Sequence, residues 1–146
     1  MIFLILLLPA WEARSSPLVR AMPELKKMGF ASVINLRLAT EPNADIPAGE
    51  AAAKAVGLNY IHIPFAGQNP DPAVADRFLE EIAKPANDPA YVHCASGNRA
   101  AAMWMIKRLV VDKWDPERAG AEAAALGLSS ATLRRFALDY ARTKGQ

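Results

Sequence analysis

The chain has 146 residues, 52% of them apolar and 22% charged, which fits one domain with a single hydrophobic core and excludes a disordered tail. Lys and Arg number 17 against 15 Asp and Glu, a formal charge of +2, without the basic excess or Lys/Arg runs of a nucleic-acid-binding face. One cysteine, Cys94, and two histidines, His62 and His93, exclude an internal disulfide and a multi-cysteine zinc site, and imply no metal or other cofactor.

In chain order, residues 2–10 (IFLILLLPA) come first. They are too few to span a bilayer as a helix, but they fit the apolar core of a secretory signal, with Ala13-Arg14-Ser15 as a small-x-small cleavage site. No basic segment precedes the run, so a truncated gene start or a buried first strand stands as the alternative. The expected division is a signal over 1–15 and a single domain over 16–146, periplasmic or secreted if the signal is cleaved and cytoplasmic otherwise. No stable membrane insertion of the mature domain is expected.

Pro23 to Met28 reads as a short helix stopped by Gly29. Ala31 to Leu38 (ASVINLRL) has the β-branched content of a buried strand. Thr40 to Pro47 is a proline-punctuated loop, Gly49 to Val56 a helix, and Asn59 to Phe65 a second strand. Asp71-Pro72 has the form of an N-cap with proline in the first turn, and Val74, Phe78 and Ile82 then share one helical face. Tyr91 to His93 is a short strand and Ala100 to Lys113 a long apolar helix. Asp115-Pro116 starts another helix, and Ser129 caps a last one through Tyr140. Strands alternating with helices predict an α/β layer with a mainly parallel sheet, followed by an all-helical C-terminal third.

The stretch Tyr91 to Ala102 (YVHCASGNRAAA) carries the chemistry. A strand runs into a loop of small residues, and a helix begins near Arg99. The N–H groups of such a loop, together with the helix N-terminus, make an anion cradle. Gly97 supplies a turn conformation that other residues resist. The Arg99 guanidinium can fold back and hold an oxyanion through two parallel hydrogen bonds. An ordinary helix-start arginine would oppose the dipole, which favours the anion-binding reading of Arg99. Cys94 would then lie on the floor of the cradle, a nucleophile set against a bound anion. Ala95, Ser96, Gly97, Asn98 and Arg99 are the candidate substrate-binding residues. Ser96 is either turn filler or a hydroxyl serving the sulfur, and Asn98 reads more readily as a turn residue. Arg37 and His62 are more simply explained by an ion pair and an ordinary satisfied histidine.

His93-Cys94-Ala95-Ser96-Gly97-Asn98-Arg99 resembles the phosphate-binding loop of cysteine-dependent tyrosine and dual-specificity phosphatases. From about Ser16 to Tyr140 the chain is similar to the phosphatase-like domain of the bacterial beta-lactamase-hydrolase-like proteins. The marks are VINLR, the Gly57-to-Tyr60 turn, the IPF-x-G segment and HCASGNR. The resemblance implies a phosphatase-like α/β fold with a mainly parallel central sheet flanked by helices. It further implies Cys94 as nucleophile, Arg99 as oxyanion holder and His93 as a support that shapes the loop by hydrogen bonding.

Two features depart from that pattern. Those phosphatases place five residues between Cys and Arg, whereas only Ala95 to Asn98 intervene here, an interval that resembles single-domain rhodaneses and their cysteine persulfide. The acid that protonates the leaving group is also missing from its expected place in Phe65-Ala66-Gly67-Gln68-Asn69. Asp71 is the nearest carboxyl in the chain, although a capping role accounts for it. Three functions are therefore expected candidates: a phosphomonoester hydrolase using Cys94, Arg99 and Asp71, a sulfurtransferase with a persulfide on Cys94, and an inactive module binding an anion or a phosphoprotein. The expected partners are phosphorylated or sulfane-sulfur small molecules or proteins.

Overall fold

A computed structural model describes residues 17–145; the apolar N-terminal segment and its cleavage site lie outside the described residues. The elements in chain order are α1 (Pro17–Lys27), β1 (Ser32–Asn35), α2 (Ile46–Ala55), β2 (Asn59–His62), α3 (Pro72–Ala83), a 3-10 turn (Pro85–Asn87), β3 (Ala90–His93), α4 (Asn98–Val110), α5 (Pro116–Ala125) and α6 (Ala131–Thr143).

The three strands form one parallel sheet in the order β2-β1-β3. The register pairs Val33 with Tyr60 and Tyr91, Ile34 with Ile61 and Val92, and Asn35 with His62 and His93. Alternation along the strands therefore sends two rows of side chains to opposite faces. Val33, Tyr60 and Tyr91 join Met22, Leu25, Ala53 and Leu58 beneath α1 and α2. Ile34, Ile61 and Val92 belong to the larger core with Phe78, Ile82, Met103, Met105, Ile106, Leu133 and Tyr140, built from α3 to α6. Covering both faces is what a parallel sheet requires, since neither side can be left to water.

α4 is buried almost all round, with Ala100 through Lys107 and Leu109 withdrawn from solvent. A helix apolar on every side belongs in the centre of a layer, and α4 packs against α3, α5, α6 and β3. Its one buried charge, Lys107, is satisfied by Asp112 at 2.7 Å and lies over the Trp104 ring. The α/β expectation, the parallel sheet and the helical C-terminal third all hold.

The boundaries differ in instructive places. α1 runs through Pro23 rather than starting there, and its second half is the segment read as a short helix. α2 begins earlier than expected, because Asp45 caps it by accepting from the Ala48 N–H and Pro47 stands in its first turn. β1 is regular only to Asn35, whose side-chain Oδ1 accepts the Arg37 N–H at 2.9 Å and bends the chain away. β2 ends at His62, although backbone pairing continues loosely through Ile63 and Phe65. α4 stops at Val110, where the Trp114 N–H returns to the Arg108 carbonyl and Lys113 takes φ 59°. The last cap is Ser130, which accepts from Leu133 N–H, rather than Ser129.

Candidate active site

Because all three strands are parallel and in register, they end in one row: Asn35, His62 and His93. The loops beyond that row are where open α/β sheets bind ligands. Cys94 is the first residue past β3. The next three residues turn the chain into α4, and Gly97 serves as the helix N-cap at φ 92°. In that left-handed conformation the Gly97 N–H points back at the Cys94 sulfur, 3.1 Å away. Ala95 and Ser96 are exposed at the tip of the loop, while Cys94 is half-buried against the larger core.

Arg99, in the first turn of α4, is the most constrained side chain at this edge. Its Nη1 donates to Glu41 Oε2 at 2.8 Å and to the Phe65 carbonyl at 3.0 Å, and its Nη2 donates to Glu41 Oε1 at 2.8 Å. The Leu36 carbonyl lies 3.4 Å from Nη1. A guanidinium has five N–H donors. Glu41 occupies the end-on fork and the Phe65 and Leu36 carbonyls lie on Nη1, while the Cys94 sulfur is a further neighbour of the guanidinium. Glu41 is the largest influence holding Arg99 protonated above the ordinary arginine value, burial opposes it, and the nearby Cys94 sulfur adds to it. Gly67 leaves room for this packing: a Cβ there would come within 3.4 Å of Arg99 Cγ.

Glu41 is a site residue that local sequence reading passes over. It sits in the loop between β1 and α2, 58 positions from Arg99. Its carboxylate also accepts the Leu38 N–H and lies 3.6 Å from Arg37 Nε. The Arg99 hydrogen bonds hold its pKa below the ordinary carboxylate value of 4.5, against an opposing contribution from burial. Arg37 thus forms an ion pair, with its Nη2 on the Pro42 carbonyl. His62 Nε2 donates to the Arg37 carbonyl at 2.7 Å.

His93 and Cys94 lie on opposite faces of the sheet. The His93 ring stacks on Tyr91, in the layer beneath α1 and α2, with centroids 6.0 Å apart. Its Nε2 is buried without a hydrogen-bond partner. Burial, reinforced by the positive charges of Arg37 and Arg99, pushes its pKa down to about 3, so the ring is neutral. Asn98 is turned away from the loop: its Oδ1 accepts the N–H groups of Ser129 at 2.8 Å and Ser130 at 3.0 Å. Asp71 is exposed and caps α3, with Oδ1 accepting the Ala73 N–H at 2.9 Å. Among the described residues no group of three or more His, Cys, Asp or Glu side chains could hold a metal ion. Among them, too, no helix is long and apolar enough to cross a membrane.

A small parallel sheet with a cysteine loop at its C-terminal edge, running into a helix that opens on an arginine, is a phosphatase-like α/β arrangement. Solved structures agree. A DUF442 protein of Shewanella putrefaciens CN-32 matches with a TM-score of 0.73 at 21% identity, over 88% of this chain and 83% of that one. The core catalytic domain of the PP-IP phosphatase SIW14 from S. cerevisiae, in complex with citrate, matches with a TM-score of 0.67 at 19% identity, over 80% and 71%. A cysteine-to-serine form of P. aeruginosa TpbA in complex with pTyr matches with a TM-score of 0.64 at 19% identity, over 90% and 77%. At these identities the likeness establishes the fold. The profile of the phosphatase-like domain of beta-lactamase hydrolase-like proteins matches residues 14–111, and the chain belongs to that family. No curated protein gives a significant match.

Proposed function

We propose that this domain is a cysteine-dependent phosphatase that hydrolyses a phosphomonoester through a thiophosphate on Cys94. The observation that carries the reading is the arrangement around Arg99. Glu41 and two backbone carbonyls fix its guanidinium at the loop where the Gly97 N–H meets the Cys94 sulfur. Donors fixed in advance around a nucleophile stabilise developing charge without reorganisation.

In the first step the Cys94 sulfur attacks phosphorus, the S–P bond forms and the P–O ester bond breaks. Arg99 and the N–H groups of Ala95, Ser96 and Asn98 hold the equatorial oxygens, the Gly97 N–H stays on the Cys94 sulfur, and His93 lies at the strand end beneath the loop. The leaving alkoxide takes a proton from Asp71, whose Oδ1 is engaged in the helix cap and whose Oδ2 would carry the proton. Water then attacks phosphorus and gives a proton to the Asp71 carboxylate, the S–P bond breaks with its electron pair returning to the Cys94 sulfur, and phosphate leaves. The phosphotyrosine bound by TpbA supports a phosphorylated ligand of this kind.

The four-residue interval Ala95 to Asn98 favours a second reading, sulfur transfer. There Cys94 displaces sulfite from thiosulfate, carries the sulfur as a persulfide and passes it to a thiol or cyanide acceptor. A paired assay on the wild type and Cys94→Ser separates the two. Phosphate release from an aryl phosphate and thiocyanate formation from thiosulfate and cyanide are followed side by side. Phosphate release lost in Cys94→Ser, with binding of inorganic phosphate retained, is the expected result. Thiocyanate without phosphate release assigns sulfur transfer, and phosphate binding with neither product assigns an anion-binding module.

A further inference from the structure

We propose that Glu41 is the positioning residue of this site: its carboxylate fixes the end-on fork of Arg99, so that the arginine meets an anion over Cys94 in one orientation. The inference rests on the assignment of Arg99 as anion holder made above, and extends it to a loop remote in sequence. Three donors and one neighbouring charge define the carboxylate's position. The two Arg99 nitrogens lie at 2.8 Å, the Leu38 N–H closes the turn on which Glu41 rides, and Arg37 Nε stands at 3.6 Å. Glu41 Oε2 thus binds its own loop and Arg99 together, tying the segment after β1 to the start of α4. The Phe65 carbonyl adds a third fixed point, from the segment following β2.

This arrangement has a chemical consequence. An arginine released from Glu41 would keep its charge but lose its single orientation, and small misplacements of a catalytic group cost rate out of proportion to their size. Glu41 itself touches neither sulfur nor anion in this role and acts entirely through Arg99. Its loss should therefore have no further effect once Arg99 is gone, the signature of two residues working as one unit.

The test uses alkylation of Cys94, the chain's one thiol, by two reagents of similar size. Iodoacetate carries a carboxylate that Arg99 can hold, whereas iodoacetamide is neutral. In both cases an S–C bond forms and iodide leaves, so the ratio of the two rates reports anion positioning independently of phosphatase turnover. The wild-type ratio should exceed that of Arg99→Ala by at least about tenfold. In Glu41→Gln, which keeps the side-chain volume, and in Glu41→Ala, it should fall to within about threefold of Arg99→Ala, with no further fall in the Glu41→Gln/Arg99→Ala double variant. Melting curves establish that each variant is folded at the assay temperature.

A Glu41 with only a structural role would change both rates together and leave the ratio at its wild-type value, which overturns the proposal. A ratio that rises in Glu41→Gln also overturns it, since Glu41 would then compete with anions for Arg99. A wild type that releases no phosphate yet shows the expected ratios defeats the phosphatase reading and leaves Glu41 in its role.

Discussion

The Gly97 N–H donates to the Cys94 sulfur across 3.1 Å, from a backbone held at φ 92°. The loop therefore carries its own donor to the Cys94 sulfur, aimed by a left-handed backbone conformation that residues with a Cβ resist. Gly97→Ala should destabilise the fold by about 1–2 kcal/mol, the cost of a left-handed conformation for a residue with a Cβ. It should also lower the rate of iodoacetamide alkylation of Cys94. Chemical denaturation and thiol kinetics on the same preparation measure both effects.

Replacing Arg99 by lysine keeps the positive charge and removes the fork. A point charge cannot hold Glu41 end-on and an oxyanion at once. Arg99→Lys should lower kcat/KM for an aryl phosphate by about 10²–10³, the usual cost of a lost oxyanion donor. Steady-state kinetics with wild-type protein in parallel provide the check.

Asp71 caps α3, and the proton donation proposed for it separates from the cap by substitution. Asparagine caps a helix as well as aspartate does, so Asp71→Asn should leave the melting temperature unchanged. Without the proton, hydrolysis of phenyl phosphate should slow by about 10²-fold. An aryl phosphate with a nitro-substituted leaving group, which departs without a proton, should be spared. Equal rates for Asp71→Asn and wild type on both substrates would reduce Asp71 to its cap.

His93 sets a pH dependence of stability. In the folded chain burial holds its pKa down at about 3, against an ordinary value of 6.5. Between those values the unfolded chain binds a proton that the folded chain does not, so stability is full above pH 6.5 and is lost as pH falls across the window. One such proton contributes a slope of up to about 1.4 kcal/mol per pH unit. Subtracting the denaturation profile of His93→Gln from that of the wild type should isolate this slope between pH 6 and pH 4, about 1.4 kcal/mol per unit at its steepest.

Asn98 gives a prediction about stability. Its Oδ1 is the acceptor for the N–H groups of both Ser129 and Ser130. Asn98→Ala should cost about 1 kcal/mol, since partly exposed donors regain water in place of a lost acceptor. A thermal melt reads this directly.

What local chemistry dictates was visible in the chain. The loop from His93 to Arg99, the caps at Asp71 and Asp115 and the buried strand around Val33 all announce themselves within a few residues. Long-range partners were not visible. Glu41 lies in a proline-rich loop with no motif of its own, and its meaning comes from a guanidinium 58 positions away. Asn98 reads as a turn residue until the backbone of Ser129 and Ser130, more than 30 positions on, is brought to its amide. The start of α1 was missed for a related reason. Pro23 resembles a first-turn proline, while the amphipathic stretch before it, with Met22 and later Leu25 facing the sheet, gains its helical form from packing.

The bond between Asn98 and the corner before α6 reaches beyond the loop it steadies. The family profile ends at residue 111, yet Leu133, Ala137, Tyr140 and Ala141 complete the core around α4, and Leu133 also lies 3.8 Å from where a side chain on Gly67 would begin. A fragment cut at that boundary would strip α4 of two flanking helices and bare its apolar flank to water. Any expression, grafting or domain-fusion design that treats the family segment as a portable cassette must therefore carry the tail through Thr143, or supply another surface in its place.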